Sequence, residues 1–146
     1  MQTGFYLAMA MTIGIISAIY LPMNSSVSRH LGSPLTANIT FYSVALLTSV
    51  VLFLLYGERE TLRNLARVPA WLYLTGFVSA FIVLAITFLI PMIGARRLVV
   101  LSIAGQIIMA MLVSHFGLLE SPPDPITVKK VAGAALLVAG VAVSVS

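Results

Sequence analysis

The chain has 146 residues, of which 60% are hydrophobic and 8% charged, whereas soluble domains carry about 25% charged residues. So few charges cannot cover a water-soluble fold of this length, which excludes a soluble domain and makes a bilayer the expected solvent. The net charge of +4 does not indicate nucleic acid, because the eight basic residues are scattered between apolar runs and form no continuous patch.

A membrane helix needs about 20 mostly apolar residues, and five such runs are present. The first, about 3–21, meets Pro22. It lacks the basic n-region and small-residue cleavage site of a signal peptide and is read as a retained membrane helix. The second, about 35–56, opens at Ser33-Pro34 and closes at Gly57; serine as N-cap with proline at N1 is a sound helix start. Residues 58–68, ERETLRNLARV, form either a short interfacial helix with Leu62 and Leu65 on one face or an ordinary charged loop. The third run, about 70–90, lies between Pro69 and Pro91, with Trp71 and Tyr73 near its start, where interfacial aromatics collect. The fourth, about 98–116, ends at Gly117, and the fifth, about 128–145, follows the turn-rich SPPDP. All four acidic residues, Glu58, Glu60, Glu120 and Asp124, fall in connections. The expected fold class is therefore an all-α integral membrane protein with five transmembrane helices in a single domain.

Five spans put the termini on opposite sides. Arg59, Arg63, Arg67, Lys129 and Lys130 lie on the N-terminal side, and Arg29, Arg96 and Arg97 on the other. The positive-inside rule weighs lysine and arginine. This small bias favours a cytoplasmic N-terminus and also permits insertion in both orientations.

Polar groups in hydrocarbon are costly unless they face protein or water, so their placement is the best guide to a solute path. Asn24 follows Pro22, which should bend or break the first helix and free backbone carbonyls beside an amide; an interfacial cap explains Asn24 as well. Gln106 lies mid-span, and Ser102, Gln106, Ala110 and Ser114 recur at four-residue spacing on one helix face. That face must meet a cavity or another helix, where glutamine can act as interhelical glue. Thr36, Thr40 and Ser43 read as packing, their hydroxyls satisfied on their own helix. Small-residue stripes at Ala10, Gly14 and Ala18, and at Ala132, Ala135, Ala139 and Ala142, suit close helix approach, and the fifth helix is a candidate subunit contact. No acidic residue lies within a span; His115, at the end of the fourth, is a near-membrane titratable group, as are the arginines and the lysines that open the fifth. It reads as an interfacial residue or a weaker solute-binding candidate.

No cysteine is present, which excludes thiolate metal sites and a cysteine nucleophile. His30 and His115 have no ligand partners nearby in sequence. With no nucleophile motif or phosphate loop either, an enzyme, a metal and a cofactor are not expected.

In this order along the chain, Asn24, then Leu31 to Leu35 (LGSPL), Phe41 to Ser43, Trp71, the Gly105-Gln106 pair and His115 to Leu118 (HFGL) resemble the YdcZ family of inner-membrane exporters. That family belongs to the drug/metabolite transporter superfamily. Ser114 stands where the family pattern often has an aspartate, which puts any proton or cation role of that acid in doubt here. The resemblance implies a multi-pass inner-membrane protein and a five-helix half of a ten-helix fold, in which two inverted repeats enclose a cavity. A lone half must then pair, as an antiparallel homodimer or with a second five-helix subunit. The expected function is a secondary transporter, exporting small metabolites or xenobiotics, with Asn24, Ser102, Gln106 and His115 as substrate-binding candidates. The alternative is a non-transporting membrane subunit that assembles with a larger partner.

Overall fold

The computed structural model describes residues 2–146, which are all-helical with no strand among them. Its principal helices are α1 (Gln2–Leu31), α2 (Pro34–Tyr56), α3 (Leu74–Ile93), α4 (Ala95–His115) and α5 (Val128–Val145). All five are long and apolar enough to cross a membrane. At about 1.5 Å per residue they run from about 27 to about 45 Å, against a hydrocarbon core about 30 Å thick. Apart from their end groups and the carbonyls left by Pro22 and Pro91, these helices satisfy their backbone within the segment, as a span in hydrocarbon must.

The chain divides into two compact units, residues 1–92 and 93–146. The first holds α1, α2 and nearly all of α3. The second holds α4 and α5.

Local chemistry sets most helix ends. Ser33 is extended and its hydroxyl accepts the Thr36 N–H at 3.4 Å, with Pro34 opening α2 behind it. The chain reaches that cap through Gly32 at φ +69°, a left-handed conformation that only glycine adopts without cost. Gly57 closes α2, its N–H bonded to the Phe53 carbonyl. Thr127 caps α5 by accepting the Lys130 N–H. The α5 bounds are those expected from sequence. The α4 helix starts at Ala95 instead of near 98, so Arg96 and Arg97 occupy its first turn.

The largest departure is α1. Pro22 does not end it near residue 21; the helix runs on to Leu31. A proline removes one N–H, so the carbonyl four residues earlier, Ala18, loses its partner. Breaking the helix would expose several more polar backbone groups. The residues beyond Pro22 are also anchored: Asn24, Ser25 and Ser28 are buried. Pro91 is likewise carried inside α3, which continues to Ile93.

Between α2 and α3, residues Arg59–Arg67 form a 3-10 helix. Its three-residue period stacks Leu62 directly against Leu65 along one edge. The Tyr73 hydroxyl donates to the Leu65 carbonyl at 2.7 Å, tying this segment to the second 3-10 turn, Ala70–Tyr73.

The packing is inverted relative to a soluble protein. The buried hydrophobic residues are Ala37, Val83 and Leu98, whereas Asn24, Ser25, Ser28 and Thr87 are buried and polar. Leu47, Leu54, Phe77, Phe81 and Leu136 stand exposed. An apolar exterior over a polar interior suits lipid as the surrounding medium.

Candidate functional site

The polar interior of the first unit centres on Thr87 of α3, which is 1% exposed. Its hydroxyl donates to the Val83 carbonyl at 2.8 Å on its own helix. That proton is then committed, so Thr87 Oγ1 can only accept from Asn24. The Asn24 Nδ2 donates to it at 2.8 Å. With the Thr87 proton assigned to Val83, the Asn24 amide takes the orientation that presents Nδ2 to Thr87.

The backbone of Thr87 is the second half of the arrangement. Pro91 stands four residues on and has no N–H to return to the Thr87 carbonyl. The Ser25 hydroxyl, 1% exposed, donates to that carbonyl at 3.4 Å. Asn24 and Ser25 of α1 thus serve the side chain and the freed backbone of one threonine. Each donor avoids the cost of a buried unpaired group, about 1–3 kcal/mol.

Nearer the start of α3, the Asn38 Nδ2 donates to the Ala80 carbonyl at 3.2 Å, and the Tyr42 and Ser79 hydroxyls lie 2.6 Å apart. Asn38 Oδ1 is buried without a partner among the described residues. Beside Asn24, between α1 and α2, lies a cleft of about 340 Å³, lined by Tyr20, Met23, Asn24, Thr40, Phe41 and Val44 among others. The Tyr20 and Phe41 rings stack with centroids 6.1 Å apart and planes 18° from parallel. No charged side chain lines this cleft.

The second unit carries the other sequence candidates. Gln106 sits one residue past the midpoint of α4, is exposed, and has no side-chain hydrogen bond among the described residues. Ser102, one turn earlier, is half-buried. His115 ends α4, and its Nδ1 accepts the Ile126 N–H at 3.1 Å. The Asp124 N–H donates to the Ser114 carbonyl at 2.8 Å, and Lys130 pairs with Asp124. His115 therefore helps hold the SPPDP turn against the end of α4, with Nε2 the nitrogen left over. At the opposite end of the unit, Arg96 donates to the carbonyl and hydroxyl of Ser144. A cation there favours the C-terminus of α5.

Of the expected residues, Asn24 thus enters a buried network; Gln106 and Ser102 share a face of α4 on which Gln106 is exposed and Ser102 half-buried; and His115 is engaged by the turn beyond it. Thr87, Ser25 and Asn38 were not anticipated. The available signal was a threonine four residues before a proline within an apolar run.

The family model for "Putative inner membrane exporter, YdcZ" matches residues 5–143. The chain belongs to the YdcZ family. Membership agrees with the five apolar helices and makes this a multi-pass protein of the inner membrane and a membrane transporter. No curated protein and no solved structure gives a significant match.

Proposed function

We propose that the protein is a secondary transporter that exports small metabolites or xenobiotics as a dimer, with a cavity near the membrane midplane between two subunits. The two chains are oppositely oriented copies. The observation that carries this reading is Gln106: a carboxamide at the middle of a membrane helix, exposed and with no side-chain hydrogen bond among the described residues. An amide left in hydrocarbon is costly, and a second subunit enclosing a wet cavity removes that cost. Transporters commonly hold solute at the midplane between repeats. An odd number of spans supports an inverted pair, since the chain's own charge bias is small.

Ser102 and Gln106 of α4 are the proposed lining residues of that cavity; Asn24, in the other unit, is proposed to meet solute at the cleft between α1 and α2, and His115, at the end of α4, to meet it nearer the membrane surface through Nε2. The test is Gln106→Leu, read by solute flux in liposomes and by crosslinking of the dimer. Flux is expected to disappear while the dimer persists. Undiminished flux would make Gln106 a packing residue and remove it from the path.

A further inference from the structure

The cleft beside Asn24 has a polarity that the hydrogen-bond network dictates. Asn24 turns its amide nitrogen to Thr87, which leaves Oδ1 without a partner among the described residues. Thr40, on the facing helix, donates its hydroxyl proton to the Ala37 carbonyl at 2.8 Å. Its oxygen keeps only lone pairs for the cleft. Asn24 Oδ1 and Thr40 Oγ1 are both acceptors, and the Tyr20 hydroxyl is the one lining group free to act either way. The remaining walls, with Met23, Phe41 and Val44, are apolar and partly aromatic. The volume of about 340 Å³ falls at the small end of ligand pockets, about 300–1,000 Å³.

We infer that this cleft binds an uncharged aromatic solute bearing two hydrogen-bond donors, such as a vicinal diol beside a ring. The inference rests on the transporter reading above and names the class of solute for the Asn24 site. An anion would meet acceptors with no cation to balance it. An ammonium would exchange its hydration for two neutral acceptors and the face of Tyr20 or Phe41, a cation–π gain of about 0.5–2 kcal/mol that is smaller than the cost of burying a charge with no counter-charge. A ring with no donor would leave both acceptors unpaired in an apolar cleft. The stacked pair Tyr20 and Phe41 supplies an aromatic wall suited to an offset ring.

The experiment is equilibrium dialysis of four labelled probes against the full chain in nanodiscs, with empty nanodiscs subtracted. The probes are 1-phenylethane-1,2-diol, mandelate, 2-phenylglycinol and acetophenone. They share one ring and differ as neutral donor pair, anion, cation and acceptor alone. Saturable binding of the diol is expected, with the other three weaker. Thr40→Val keeps the β-branched shape and removes one acceptor, so it should weaken diol binding roughly two- to tenfold. Phe41→Leu keeps the bulk and removes the stacking wall, and should weaken the diol and acetophenone alike.

Absence of saturable diol binding overturns the inference, the cleft then being filled by lipid or by a neighbouring helix. So does tighter binding of any other probe, or a Thr40→Val variant that binds the diol unchanged. Liposome flux is measured separately. Diol binding without flux of any solute would leave the cleft assignment standing and sink the transporter reading. Flux of other solutes without diol binding would do the reverse.

Discussion

The two units of this protein treat their polar residues in opposite ways. In the first, Asn24, Ser25 and Thr87 are buried and bonded to one another across helices. In the second, Gln106 stands at mid-span, exposed and with no side-chain hydrogen bond among the described residues. Both carry polar atoms at membrane depth, where an unpaired group is costly. The contrast teaches where the donors find partners: Asn24 Nδ2 and the Ser25 hydroxyl are met by Thr87 within their own unit, although Asn38 Oδ1 stays buried without a partner among the described residues, whereas the Gln106 amide stands exposed with no side-chain bond among them.

The sharpest way to break this contrast is Gln106→Leu. It should abolish solute flux in liposomes while leaving the unfolding transition in detergent unchanged or slightly raised, because a costly amide is gone. Thr87→Val should act in the opposite sense. It keeps the shape, removes the acceptor for Asn24, and should destabilise the first unit by about 1–3 kcal/mol, measured by denaturant unfolding, with Thr87→Ser recovering most of the loss.

A smaller effect isolates the proline. Ser25→Ala should cost about 0.5–1.5 kcal/mol in the native chain. In a Pro91→Ala background, residue 91 regains an N–H for the Thr87 carbonyl, and the same Ser25→Ala change should cost close to nothing. A double-mutant cycle by unfolding reads that coupling directly; an additive result would mean that Ser25 does not serve the carbonyl freed by Pro91. The smallest change is expected in the connection. Lys130→Ala removes the pair with Asp124, both partly exposed, and should alter stability by only about 0–1 kcal/mol.

The helices were legible because apolar runs and breakers agreed. Ser33-Pro34 and Gly57 bounded α2, and the SPPDP turn placed α5 to the residue. Pro22 misled because its local rule, a lost N–H and a ring clash, competes with the demand that a span in lipid stay helical. The burial of Asn24 and Ser25 on the far side of that proline is a tertiary fact with no periodic signature. The Thr87 network was hidden for the same reason. A threonine within an apolar run reads as self-satisfied, and its hydroxyl is indeed bonded to Val83. The partners on α1 lie more than 60 residues away in sequence, where spacing arguments have no reach. Gln106 was legible because a glutamine at the centre of a span breaks its own pattern.

The central claim is that the subunit works with an oppositely oriented copy of itself, and orientation tests it most directly. The chain has no cysteine, so Asn64→Cys introduces a single thiol in the exposed 3-10 segment between α2 and α3. Intact cells are labelled with a membrane-impermeant thiol reagent and compared with permeabilised cells. About half of the protein labelled from outside is the predicted result, since two orientations present this loop to both sides in equal numbers. Uniform labelling or uniform protection would show a single orientation and contradict the antiparallel pair.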